Sequence, residues 1–144
     1  MRTAAFTLAL LLPFAGQAQS PALTDVDQTR QACAGVADLL AAGKADEAYA
    51  SLLPHWPMPK EEILNLGYKT RSQLAMVGER FGPVVGAEYV ATRTAGPSLV
   101  RHIWLVKHEN HALRLTCTFY RPGDAWLVNA IHWDDKPQAL LELP

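Results

Sequence analysis

Ala112-Leu113-Arg114-Leu115-Thr116-Cys117-Thr118-Phe119-Tyr120 is the segment from which the fold can be read. Leu113, Leu115, Cys117 and Phe119 alternate with Arg114, Thr116 and Thr118, so an extended chain here is apolar on one side and polar on the other. The same two-residue period continues in Val84 to Thr94, Leu99 to His108 and Ala125 to Trp133. The joints are Gly96-Pro97, Glu109-Asn110-His111 and Arg121-Pro122-Gly123-Asp124. Connections this short admit only antiparallel neighbours, so four strands in a meander are predicted.

Upstream of Gly82-Pro83 the period is helical. Ile63, Leu66, Thr70, Leu74, Val77 and Phe81 recur at helical spacing. Pro59 suits the first turn of this helix, and Glu61 and Glu62 suit its positive end. Thr24 or Asp25 can cap an earlier helix running to Ala42, with Val26, Cys33, Val36, Ala37 and Leu40 on one stripe and Gly43 just beyond its end. A short helix from Ala45 to Leu53 lies between them, stopped by Pro54-His55-Trp56-Pro57-Met58-Pro59. The fold class predicted is α+β: three N-terminal helices packed on one face of a curved four-stranded antiparallel meander. The expected domain covers residues 24–137, preceded by a short segment 19–23 and followed by a tail 138–144.

The strand faces follow from the alternation. The odd positions of the third strand should face the helices, which points Cys117 toward Cys33. A tight turn at Pro122-Gly123 would set Phe119 opposite Trp126 and Cys117 opposite Val128. Trp126, Val128, Ala130 and His132 would then face inward, and Leu127, Ile131 and Trp133 outward. The second strand is ambiguous, because Val100, His102, Trp104 and Val106 compete with Leu99, Ile103 and Leu105 for the inner side, and a one-residue slip exchanges the sets. In either register the outer face carries apolar area that should meet a second subunit, a partner or Ala139-Leu140-Leu141.

The first residues carry a compartment signal. Met1-Arg2-Thr3 is a basic start, Ala4 to Ala15 is apolar apart from Thr7, and Gly16 and Ala18 are the small residues expected before a cut at Gln19. Residues 1–18 thus read as a cleavable signal peptide, with the mature protein periplasmic or secreted. In an oxidising compartment the only two cysteines, Cys33 and Cys117, can form a disulfide; the alternative is two separate buried thiols. The 144 residues carry 13 Lys and Arg against 14 Asp and Glu, a net charge of −1. That balance argues against a nucleic-acid partner, and no mature stretch is apolar for the roughly 18 residues a membrane span needs.

Gly43-Lys44-Ala45-Asp46-Glu47-Ala48-Tyr49 between two helices, Arg80-Phe81-Gly82 closing the third, and Gly123-Asp124-Ala125-Trp126-Leu127-Val128 opening the last strand complete a recognisable layout. It resembles the cystatin-like architecture of the nuclear-transport-factor-two-like superfamily, in particular its small exported bacterial members. The resemblance implies a curved sheet wrapped around helices, a conical pocket and, often, a dimer. It does not imply one activity, since that superfamily hosts isomerases, dehydratases, binding modules and scaffolds.

Isomerases of this kind place a carboxylate base and acidic donors inside the cone. Asp38, Glu88, Tyr89, His102 and His132 could contribute here, but no spacing sets a base against a donor pair, and no catalytic residue is assigned. The pocket candidates are Trp56, Glu88, His102, Trp104 and His132, and the interface candidates are Leu127, Ile131 and Trp133. His108-Glu109-Asn110-His111 supplies at most half a zinc site and reads as a solvated turn, so neither a metal nor a cofactor is expected. The expected function is an exported, non-enzymatic binding or interaction domain that holds a small apolar ligand or a protein partner, with a homodimer through the outer sheet face as one arrangement. The alternatives are a small pocket enzyme of the isomerase or dehydratase type and a periplasmic immunity or inhibitor protein.

Overall fold

A computed structural model describes residues 22–142, so the expected leader lies outside the described residues. Helix α1 spans Val26–Ala41, α2 Ala45–Ala50 and α3 Lys60–Phe81. Strands β1 Val84–Ala95, β2 Leu99–His108, β3 Ala112–Tyr120 and β4 Leu127–Asp134 follow. The sheet order β1-β2-β3-β4 is antiparallel throughout, so the α+β meander expected from the sequence is present. Single 3-10 turns at Leu53–His55 and Pro137–Leu140 replace, respectively, the end of the second expected helix and part of the expected tail. Among the described residues no helix is long and apolar enough to cross a membrane.

The helix ends show why the boundaries fall where they do. The Asp25 carboxylate accepts from the Gln28 N–H and caps α1. At the other end Gly43, at φ +75°, lets its own N–H and that of Lys44 reach the carbonyls of Leu40 and Leu39. Helix α1 lies on β1, β2 and β3, while α2 packs against α1 and α3. The buried stripe of α1 is Thr29, Cys33, Val36, Ala37 and Leu40. Val26, expected in that stripe, is exposed.

The disulfide joins Cys33 to Cys117 and ties the middle of α1 to the centre of β3, with the Cα atoms 5.8 Å apart. On β2 the even residues face inward: Val100, His102 and Trp104 pair with Phe119, Cys117 and Leu115. Phe119, Leu115 and Cys117 are fully buried, as their odd parity requires.

Strand β4 departs from the expected register. Phe119 pairs with Val128 and Thr118 with Ala130, leaving Asn129 as one extra residue. Such a bulge reverses side-chain parity along the rest of the strand. Trp126 and Val128 are buried before it; after it Ile131 and Trp133, opposite Cys117 and Leu115, pack on the core. Ile131 and Trp133 are therefore not on the outer face, whereas Ala130 and His132, expected inside, are exposed. Leu127 keeps its outward position opposite Tyr120. The outer face is consequently less apolar than expected. Leu105 and Leu127 are half-buried, Leu99 is exposed and Ile103 is buried, set among the pairs Lys107–Glu88 (2.9 Å) and Arg114–Asp134 and the Arg101 to Thr118 hydrogen bond (3.0 Å). The Pro137–Leu140 turn packs against β3.

Candidate functional site

The five pocket candidates do not converge. Glu88 pairs with Leu105 in the outer register and holds Lys107, so it faces away from the helices. His132 is likewise outside, 3.2 Å from Asp134. Trp56 is buried against Tyr49, with ring centroids 6.3 Å apart, and so fastens the proline-rich loop to the body. Trp104 faces inward and meets Tyr89 edge-on at 5.5 Å. His102 is fully buried, two strands away from His132. The sheet lies between His102 and His132, so no paired-histidine site exists.

His102 is instead the middle of a closed hydrogen-bond chain. Bulges at Val85 and Val90 shift β1, and the second places both Tyr89 and Thr92 on the inner side, opposite Trp104 and His102. In a regular strand two residues three apart would face opposite ways. The Thr29 hydroxyl donates to the Val26 carbonyl (2.7 Å), so toward His102 it can only accept, and Nε2–H is the donor at 2.8 Å. Nδ1 must then accept from the Thr92 hydroxyl (2.8 Å), which in turn accepts from Tyr89 (2.8 Å). Burial, reinforced by the charge of Arg30 and opposed by Asp27, pushes the His102 pKa down to about 4. The ring is neutral, held in one tautomer and satisfied at both nitrogens. It joins α1 to the sheet and has no free lone pair to offer a substrate.

A second inward histidine sits six residues along the same strand. His108 is 7% exposed, and its Nδ1–H donates to the Gly82 carbonyl at 2.7 Å. The adjacent turn completes a clamp on the α3–β1 junction: the N–H of Asn110 reaches the carbonyl of Phe81 and the N–H of Glu109 reaches that of Pro83. Gly82, at φ +80°, permits the approach, because a Cβ there would stand 3.1 Å from the Asn110 side chain. His111 lies against Phe81 with ring centroids 4.3 Å apart. His108-Glu109-Asn110-His111 is thus a hairpin clamp, and the expectation of a merely solvated turn is corrected for its buried first residue.

The Nε2 of His108 is buried and has no hydrogen-bond partner among the described residues. His108 lines a cavity of about 320 Å³ between the C-terminal half of α3, the end of α1 and the junction of β1 with β2. Leu40, Ala45, Leu74, Val84 and Val106 form apolar walls, and Gly78 contributes no side chain. The recess is open along one side, where Gly43, Arg71, Ala75 and Pro83 are all exposed and Arg71 pairs with Asp46 at 2.6 Å. A recess of about 360 Å³ on the other side of α3 brings Ile131, His132 and Trp133 to Tyr49 and Thr70, but its remaining walls include the exposed Lys69 and Gln73. A half-open recess of this size with mostly apolar walls and a single imidazole has the composition of a small-molecule site.

The sequence raises His108 only as part of half a metal site and not as a pocket candidate. Its parity with Val106 turns it inward once the even register of β2 is known, but its hold on the end of α3 has no local mark. No family model matches this chain, and no curated protein matches it. Among solved structures it is similar to a putative calcium/calmodulin-dependent protein kinase type II association domain from Thiobacillus denitrificans, with 14% identity and a TM-score of 0.46 over 79% of this chain and 97% of that chain.

Proposed function

We propose that this protein is an exported, non-enzymatic binding module whose cavity between α3 and the β1–β2 end of the sheet holds a small apolar ligand. The observation that carries this reading is the chamber of about 320 Å³ walled by Leu40, Leu74, Val84 and Val106. Export is supported by the leader-like residues 1–18 and by the Cys33–Cys117 disulfide, a bond that persists in oxidising compartments. The nuclear-transport-factor-two-like family belongs to the same proposal. A pocket enzyme is disfavoured, because Glu88 and His132 face out and both nitrogens of His102 are occupied.

The test is calorimetric titration of the mature protein with small aromatic hydrocarbons such as p-xylene, alongside a Gly78→Leu variant. A Cβ at Gly78 meets nothing within 4 Å, so the larger side chain has room to enter the chamber without a backbone clash. Saturable binding to the parent protein and none to the folded variant is the expected result. Absence of saturable binding to the parent overturns the proposal. Export is checked separately by fractionation and by sequencing the mature N-terminus, which should begin at Gln19.

A further inference from the structure

On the outer face of the sheet, where β1 and β2 approach their shared turn, lies another recess of about 360 Å³. We infer that it binds a small organic anion, a carboxylate or phosphate monoester carried on an apolar body, between Arg93 and Arg101. This site is separate from the cavity proposed above, which lies on the helix side of the sheet. The cations of the outer face show the difference that matters. Lys107 and Arg114 each hold a carboxylate, from Glu88 and Asp134 respectively. Arg93 and Arg101 are instead register partners on adjacent strands, and among the described residues neither has an acidic partner. Residues directly opposite in an antiparallel pair have Cβ atoms about 5 Å apart, and like charges placed there destabilise the sheet. A guanidinium cannot shed its proton to escape, so the repulsion persists until an anion neutralises it.

Both arginines are exposed and both line the recess. Arg101 Nε donates to the hydroxyl of the buried Thr118 at 3.0 Å, which anchors one guanidinium and leaves its Nη groups without partners among the described residues. No acidic residue lines the recess, while Ala95, Leu99 and Ile103 give it an apolar part. The forked donors of arginine match the paired oxygens of a carboxylate or phosphate. A neutral ligand would leave both charges unbalanced, and a bare inorganic ion would leave the apolar part uncovered. An oxyanion on a hydrocarbon body answers both halves of the lining.

The experiment titrates the protein with benzoate, phenyl phosphate and benzyl alcohol, which share a ring and differ in the head group. At least one anion should bind saturably and at least tenfold more tightly than benzyl alcohol, as a charge-assisted hydrogen bond implies. The tighter of the two anions identifies the preferred oxyanion. Arg93→Gln should weaken it about tenfold while the urea midpoint stays the same or rises, because the change removes a repulsive charge and no side-chain hydrogen bond. Gly78→Leu, which fills the other recess, should leave anion binding unchanged. The inference is overturned if neither anion binds, if benzyl alcohol binds as tightly, or if Arg93→Gln binds the anion as well as the parent does. A lowered midpoint in Arg93→Gln would make Arg93 a structural residue and overturn it too. Loss of anion binding in folded Gly78→Leu would move the anion to the helix side, with the same consequence.

Discussion

His102 and His108 share a strand, a face and near-complete burial, yet they occupy opposite situations. His102 has a hydroxyl on each nitrogen and closes a chain from Tyr89 to the Val26 carbonyl. His108 spends one nitrogen on the Gly82 carbonyl, and the other is buried without a partner among the described residues, in a residue that also borders a recess. The difference lies in the neighbouring elements. At His102 helix α1 is drawn onto the sheet by the Cys33–Cys117 bridge, and Cys117 is its register partner on β3. At His108 the walls come from the end of α1 and from α3, whose Gly78 supplies no side chain. The residue type is the same, and whether both of its nitrogens find partners is decided by what the helices bring to it.

The largest perturbation removes what draws α1 down at His102. Replacing Cys33 and Cys117 together by Ala frees a chain separation of 84 residues, and the loop-entropy model puts the loss at about 4–5 kcal/mol in urea unfolding. A loss below about 1 kcal/mol would mean that the bridge does not hold this region. Next comes His102→Leu, which takes the ring nitrogens from the Thr92 and Thr29 hydroxyls and breaks the link from β2 to α1. A loss of about 3 kcal/mol is expected by the same measurement. His108→Asn keeps a donor for the Gly82 carbonyl but removes Cε1, the unpaired Nε2 and the ring contact with Phe81. Its loss should stay below that of His102→Leu, at about 1–2 kcal/mol. Equal losses for these two histidine variants would erase the contrast between the two sites.

Acid offers a second separation. A folded pKa near 4 against an ordinary value of 6.5 means that the unfolded chain takes up the His102 proton first. Stability from the neutral ring is therefore complete above pH 6.5 and is lost as pH falls toward 4, by about 3 kcal/mol. His55, lowered by burial, acts in the same direction. At Asp134 burial raises the pKa, but hydrogen bonds from Arg114 and the Lys136 N–H outweigh it. Its contribution is thus lost only below the ordinary value of 3.8, outside this window. Urea unfolding at pH 7.5, 5.5 and 4 should show the decline in the parent protein and a much shallower one in His102→Leu. Parallel curves would mean that His102 is already charged in the fold.

The element order could be read from the sequence because it rests on periodicity. The switch from helical spacing through Phe81 to alternation after Val84, and the short joints, required helices followed by a meander. The odd parity of Leu113 to Phe119 aimed Cys117 at α1. Bulges escaped the reading because each is one extra residue with no compositional mark. Asn129 turned Ile131 and Trp133 inward, and Val90 brought Tyr89 and Thr92 onto one face. The site escaped for a related reason. The burial of His108 depends on a hairpin turn grasping the end of α3, a contact between segments that no local pattern records.

The smallest expected effect is the one that probes the chamber most directly. Gly78 sits inside α3, where glycine is less favourable than alanine by roughly 1 kcal/mol. A Cβ added there meets no atom within 4 Å, so Gly78→Ala incurs no packing penalty and should raise the unfolding free energy by about 0.5–1 kcal/mol. The same methyl narrows the recess that Gly78 lines, so p-xylene should bind less well to the more stable protein. Stability and affinity would then move in opposite directions through a single carbon atom. If Gly78→Ala destabilises the fold, α3 lies closer to Val84 and Val106 than this geometry has it. His108 would then be enclosed like His102, with no chamber left to distinguish them.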